Sequence, residues 1–253
     1  ILARKRRELT RRRRHLRGAL DARREGPRPS LARPAGARPR IIAEVKFRSP
    51  SAGPIRAWAA GEGTRVARGF AAAGADAISV LCDAPGFGGS PLELRRVARS
   101  VAVPVLFKEF VLDPLQLDLA VRCGSSMVLL LVAALDGAAL DELVDEALDR
   151  GLEPVVEAAS DAELARALAT RASVVGVNAR DLRSFRVDPA QARGLVEKIP
   201  NGRVAVYMSG VQSAEDMRRV ADGRADALLV GTGLMAAPDP GSRLARWLEE
   251  AAR

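Results

Sequence analysis

The sequence predicts an α/β protein, a single (β/α)8 barrel preceded by one extra helix. Eight short, nearly continuous apolar runs alternate with amphipathic segments rich in Ala, Leu and Arg. The spacing of these units is even. The chain's 253 residues match the roughly 250 of one such barrel. Runs that are apolar almost throughout suit strands buried on both faces. Strict alternation of strand and helix implies a parallel sheet with right-handed crossovers.

Residues 1–24 read as a helix, with Ile1, Leu2, Leu9, Leu16 and Leu20 set among charges. Residues 26–40 (GPRPSLARPAGARPR) are rich in Pro, Gly and Arg and read as a linker. The expected organisation is therefore a basic helix and linker over 1–40 and the barrel over 41–253. The strands fall at 41–46, 77–82, 104–108, 127–132, 153–157, 174–178, 204–208 and 227–230. Helices fit the intervals at 62–73, 91–100, 114–122, 138–150, 161–169, 189–197, 213–221 and 240–252. A doubly wound open sheet is the alternative arrangement. Eight even units favour closure, and the first strand lacks a following GxGxxG, which weakens a dinucleotide-binding role.

Composition narrows the function classes. No apolar run approaches the roughly 18 residues of a membrane span, and the basic, polar start has no secretory apolar core. Two cysteines, Cys82 and Cys123, do not make a disulfide framework, so a reducing cytoplasm is expected. The single histidine, His15, sits in an arginine run, which argues against His-based metal sites and Ser-His-Asp triads. The formal charge of +9 is unevenly spread: residues 1–40 carry 15 Lys/Arg against 3 Asp/Glu, while the rest carries 25 against 28. The basicity belongs to the N-terminal segment, and no aromatic residues interleave with it as a nucleic-acid platform requires.

Catalytic groups of a barrel sit at the C-terminal ends of its strands. The polar residues that interrupt the apolar runs there are Glu44 and Lys46, Lys108 and Glu109, Glu157, Asn178 and Arg180, and Ser209 and Gly210. Glu44 and Lys46 are two apart and so face one side of the strand. A single such pair reads as a structural ion pair. Five strands ending this way are hard to explain as structure alone, because buried charges cost several kcal/mol each unless paired. Lys108, Glu157 and Glu44 form a candidate acid/base set. After the last two strands come Ser209-Gly210 and Gly231-Thr232-Gly233. Loops at these positions commonly hold phosphate, with Lys46 as a possible counter-charge.

With these residues in view, the chain resembles the indole-3-glycerol phosphate synthase family. The resemblance runs over about residues 1–250. Its most telling stretch is IIAEVKFRSPSAGPI (41–55), joined in order by FGGS (87–90), PVLFKEFVLDPLQ (104–116), LLLVAAL (129–135), GVNARDL (176–182), SGV (209–211) and VGTGLM (230–235). ILARKRREL resembles the family's N-terminal helix, which lies outside the barrel. The resemblance implies ring closure of 1-(2-carboxyphenylamino)-1-deoxyribulose 5-phosphate with loss of CO2 and water, in tryptophan biosynthesis. It implies no cofactor and no metal, a small phosphorylated substrate as partner, no membrane, and a monomer or homodimer. Lys108 matches the general acid of ring closure and Glu157 the acid/base group of dehydration. Glu44 and Asn178 match groups that orient and polarise the substrate. Lys46, Ser209, Gly210, Gly231 and Thr232 match the phosphate site. Ser49 and Arg180 match positions near the anthranilate end, and Phe87 and Phe110 match apolar walls.

The chain departs from the family at several points. Strand 7 usually ends Glu-Ser-Gly, but here it reads Tyr207-Met208-Ser209-Gly210, which puts Met208 at a position expected to touch substrate. Phe47, Cys82, Phe107, Glu109 and Ala158-Ala159 are further changes, and strand alternation can turn Phe47 and Phe107 away from the lumen. Two readings of these changes stand open: an ordinary synthase with tolerated drift, or a family-derived enzyme of specialised metabolism with another substrate. A third, from a different class, is a non-catalytic binder with a basic arm. That third reading is tested by titrating RNA and DNA at low salt. The expected result is no binding, whereas binding that weakens steeply with salt would support the basic arm.

Overall fold

The computed structural model describes residues 1–13, 22–181 and 186–252. Eight parallel strands close into a barrel. They are β1 (Arg40–Val45), β2 (Ala77–Leu81), β3 (Val105–Lys108), β4 (Met127–Leu131), β5 (Glu153–Ala158), β6 (Val174–Asn178), β7 (Val204–Met208) and β8 (Ala227–Val230). Each pairs with its sequence neighbours, and β1 pairs with β8 to close the ring. Eight helices alternate with the strands: α1 (Glu62–Ala72), α2 (Pro91–Ala98), α3 (Pro114–Arg122), α4 (Gly137–Asp149), α5 (Asp161–Ala169), α6 (Pro189–Glu197), α7 (Ala214–Ala221) and α8 (Pro240–Ala251). This is the expected TIM barrel, with an N-terminal helix at Leu2–Arg13.

The helix starts are written in the sequence. Ser90, Asp113, Asp136, Ser160, Asp188, Ser213 and Asp239 each accept a first-turn backbone N–H at the start of α2 to α8. These caps satisfy donors that a helix end leaves unpaired. Only α1 starts without one, at Gly61, whose φ of 84° suits glycine. The apolar face of each helix then packs on the strands, and Phe70, Leu94, Leu117, Val144 and Leu244 are fully buried there.

The N-terminal segment differs from the expectation of one helix over 1–24. Residues 14–21, with His15, Leu16 and Leu20, lie outside the described residues. Residues 22–24 are not helical. Their backbone is committed elsewhere: the Ala22 N–H donates to Asp118, and the Arg24 N–H donates to the Arg150 carbonyl. The Pro-rich stretch that follows packs against the barrel. Leu31 is 1% exposed, and Arg33 donates to the Ala221 carbonyl at 2.8 Å. Asp118 lies on α3, while Arg150 and Ala221 lie at the C-terminal ends of α4 and α7. This strap therefore runs along the face opposite the strands' C-terminal ends.

Small elements absent from the sequence expectation also occur. Arg48–Ser49 and Gly53–Pro54 form a short antiparallel pair after β1, and Val132–Ala134 form a 3-10 turn after β4. Among the described residues no helix is long and apolar enough to cross a membrane. If the strap is part of the fold, truncating its anchor should cost as much as a core truncation. Leu31→Ala is expected to destabilise by about 2–5 kcal/mol, read from urea unfolding. A loss below about 0.5 kcal/mol, typical of a surface change, would show that the strap is only loosely attached.

Candidate functional site

The C-terminal ends of the strands surround an open-mouthed cavity, about 980 Å³ when the open solvent at its mouth is counted. The strand order sets its geometry. In a ring of eight, β1 stands opposite β5, and β3 opposite β7. Glu44 on β1 thus faces Glu157 on β5, with Lys108 of β3 between them. Lys108 Nζ lies 3.5 Å from Glu157 Oε2 and 3.9 Å from Glu44 Oε2. Lys46 Nζ lies 2.7 Å from Glu44 Oε1, so alternation does bring the two residues to one side.

Further polar groups hold these side chains in place. Asn178 Nδ2 donates to Glu157 Oε1 at 2.8 Å, and Asn178 Oδ1 accepts the Arg180 backbone N–H. The Ser79 hydroxyl donates to Glu44 at 3.5 Å. Burial by itself pushes the Glu44 carboxyl up. The ammonium groups of Lys46 and Lys108 override it, and the net position lies below the ordinary 4.5. Glu44, Glu157, Lys46 and Lys108 are thus largely buried together, where interactions between charges are stronger than in bulk water.

The remaining expected residues divide by position. Ser49, Phe87, Phe110, Arg180, Ser209, Gly210, Gly231 and Thr232 all line the cavity. Phe87 and Phe110 form a tilted pair with ring centroids 6.3 Å apart, in the loops after β2 and β3. Across the cavity, Ser209 and Gly210 follow β7 with φ of 69° and 81°. A non-glycine residue in that region is uncommon and costs of order 1 kcal/mol or more. Gly231 is required by crowding: a Cβ there would lie 2.6 Å from Glu44 Oε1 and 3.2 Å from Lys46 Nζ.

Met208 is the exception. It is fully buried and does not line the cavity. Register with Leu229 and Asn178 turns it inward, but its side chain lies over Gly176, where a Cβ would come within 2.4 Å of Cε. The missing side chain at Gly176 gives the thioether room beneath the polar groups. Met208, expected at the substrate site, thus packs in the barrel floor and not on the cavity wall. Phe47 and Phe107 are also buried and absent from the cavity wall, as alternation allows.

Sequence reasoning missed a second charged group at the mouth. Asp83 and Glu109 both line the cavity, and both are held by the N-terminal helix. Lys5 Nζ lies 3.0 Å from Glu109 Oε2 and 3.2 Å from Asp83 Oδ1, and Arg4 Nη2 lies 2.5 Å from the same Asp83 oxygen. Burial raises the Glu109 carboxyl above its ordinary value despite Lys5, whereas Arg4 and Lys5 with the Gly86 N–H override burial and lower Asp83. Glu109 was visible beside Lys108. Asp83 had a weaker signal, a carboxylate directly after an apolar strand.

Glu44 supplies a pH test of these ion pairs. Its folded carboxyl lies below 4.5, so its pairing contributes stability present above that pH and lost as pH falls through the folded value. The stability of wild type relative to Glu44→Gln should therefore be greatest near neutrality and fall below about pH 4.5. Urea midpoints of both proteins across this range measure it. A difference that does not change with pH would contradict the pairing.

Comparison with known proteins places the chain in a family. The family model described as indole-3-glycerol phosphate synthase matches residues 1–246. A protein of that name from Opitutus terrae is 41% identical over 237 residues, covering 90% of this chain and 88% of its own. Another from Chlorobium phaeovibrioides is 43% identical over 195 residues, covering 77% and 75%. Among solved structures, 3-hexulose-6-phosphate synthase from Salmonella typhimurium shares the fold, with a TM-score of 0.62, 14% identity, and 84% and 97% of the two chains covered. Thiamine phosphate pyrophosphorylase from Pyrococcus furiosus does so with a TM-score of 0.59, 18% identity, and 85% and 97% covered. With the model matched over nearly the whole chain, and with relatives this similar over most of their length, the chain belongs to the indole-3-glycerol phosphate synthase family.

Proposed function

We propose that this chain is a carboxy-lyase that converts 1-(2-carboxyphenylamino)-1-deoxyribulose 5-phosphate to indole-3-glycerol phosphate in tryptophan biosynthesis. The observation that carries the reading is the position of Lys108, between Glu44 and Glu157, in a cavity lined by Phe87 and Phe110 and by the glycine-rich loops after β7 and β8. A substrate with an aryl ring at one end and a phosphate at the other fits that layout. The ring lies against Phe87 and Phe110, with Arg180 and Ser49 near its carboxylate. The phosphate lies at Ser209, Gly210, Gly231 and Thr232, with Lys46 as counter-charge.

The chemistry follows from this placement. The ring carbon that bears the carboxylate attacks the ketone carbon, and the Lys108 ammonium delivers a proton to the oxygen as it becomes a hydroxyl. The carbon–carboxylate bond then breaks, CO2 leaves, and its electron pair restores the aromatic ring. Glu157 serves the dehydration: the hydroxyl departs as water with a proton, pushed by the ring nitrogen's electron pair. Glu157, having given its proton to the leaving hydroxyl, takes the proton from the adjacent carbon, which completes the indole. Asn178 fixes Glu157, and Glu44 holds Lys108 and Lys46 apart from each other. Anchoring both ends of the substrate turns ring closure into a positioned, intramolecular event.

Met208 bears on the choice between an ordinary synthase and a divergent one. The Met208 thioether lies in the barrel floor and not on the cavity wall, and Lys108 stays in contact distance of Glu157 and Glu44. This supports the ordinary reaction. The two cysteines are free and buried, in keeping with a reducing cytoplasm. The direct test follows indole fluorescence with the phosphorylated substrate. Wild type should turn over. Lys108→Ala should lower kcat by about 10²–10⁴-fold, the usual worth of a positioned general acid, and Glu157→Gln should lower it in the same range. Inactive wild type would contradict the reaction, and undiminished turnover by Lys108→Ala would contradict the mechanism.

A further inference from the structure

The charged group at the cavity mouth has a regular design. Asp83 follows β2 and Glu109 follows β3, two adjacent strands. Each carboxylate divides its oxygens between two tasks. Asp83 Oδ2 accepts the Gly86 backbone N–H at 2.8 Å and so caps the one-turn helix Ala84–Phe87 that presents Phe87. Glu109 Oε1 accepts the Phe110 backbone N–H at 2.8 Å. The other oxygen of each, Asp83 Oδ1 and Glu109 Oε2, meets the ammonium of Lys5. Lys5 is itself 4% exposed, and Glu8 one turn on lies 3.2 Å from it.

We propose that Lys5 is a positioning residue for the aryl subsite: it ties Asp83 to Glu109 and thereby sets the spacing of Phe87 and Phe110. The inference rests on the aryl-phosphate reading above. The physical reason is charge. Without Lys5, two buried carboxylates on neighbouring loops face each other, with Arg4 left on Asp83 among the described residues. Removing one partner of a buried ion pair leaves an uncompensated charge. The two loops relieve it by separating, and each carries its phenylalanine with it. An aromatic pair at 6.3 Å sits within the 4.5–7 Å range of favourable ring contact, so a small separation opens the wall. The phosphate end is built on other strands, β7 and β8.

The test compares wild type, Lys5→Met and Lys5→Arg by steady-state kinetics, with calorimetric titration of anthranilate and inhibition by inorganic phosphate. Lys5→Met should raise KM about tenfold with kcat kept within about twofold, the pattern of lost uniform binding. Anthranilate should bind about tenfold more weakly, the inhibition constant of phosphate should stay unchanged, and Lys5→Arg should recover most of the loss. If Lys5→Met does not fold, Glu109→Gln carries the same test with the same expected split. An unchanged KM and anthranilate affinity, or weakening of phosphate and anthranilate alike, overturns the proposal. Wild type without turnover would contradict the reaction instead, and the anthranilate titration then decides the role of Lys5 by itself.

Discussion

Closing eight parallel strands into one ring brings the side chains at the strands' C-terminal ends together around one cavity. The sides of the strands facing the helices are sealed by apolar packing, and the floor of the lumen is filled by residues such as Met208 and Val155. The C-terminal rim opens into the cavity. The rim gathers Glu44, Lys46, Lys108 and Glu157 within 2.7–3.9 Å of their partners. Each charge costs several kcal/mol to bury alone, and pairing offsets that cost. The offset constrains the rest of the site. Asn178 holds the second oxygen of Glu157, Ser79 reaches Glu44, and Gly231 must lack a side chain because Glu44 and Lys46 already fill the space. What positions the proton-transfer groups is therefore also what allows them to be buried.

The N-terminal segment adds a second level of constraint. It touches both ends of the barrel. Leu31, Arg33 and Arg24 fasten the strap to the closed face, while Arg4 and Lys5 reach the loops at the open face. The excess positive charge of residues 1–40 is thus partly used within the fold: Arg4 and Lys5 pair with Asp83 and Glu109, and Arg38 and Arg40 pair with Asp76. A basic stretch that looks like an arm for external anions becomes, at Arg4 and Lys5, a set of internal counter-ions. The open end gains a wall whose aromatic rings are held by backbone hydrogen bonds to carboxylates that these cations neutralise.

Much of this was legible in the sequence because buried parallel strands leave few choices. An apolar run interrupted by a charge at its end places that charge on the rim, and period-two alternation decides which neighbour shares the lumen. Glu44, Lys46, Lys108, Glu157 and Asn178 followed from these two rules, and the late glycine loops followed from strand order. Phe47 and Phe107 were separable from the site for the same reason. Met208 was not, because alternation says that a residue points inward but not how deep it lies, and depth depended on Gly176 across the strand pair. The contacts of Lys5 with Asp83 and Glu109 were out of reach for another reason. They join residues about a hundred positions apart, and nothing local to the helix tells which barrel face it meets. The end of the expected helix 1–24 failed similarly, since Ala22 and Arg24 spend their N–H groups on distant partners.

The account's central claim is directional: the aryl ring lies at β2 and β3, the phosphate at β7 and β8, and the reacting carbon between Lys108 and Glu157. A crystal structure with the alcohol analogue of the substrate, its ketone reduced so that ring closure stops, measures this most directly. The account predicts the ring against Phe87 and Phe110, the phosphate at Ser209, Gly210, Gly231 and Thr232, and the analogue's hydroxyl within hydrogen-bond distance of Lys108 Nζ. A phosphate at the aromatic wall, or a hydroxyl turned away from Lys108, would contradict it.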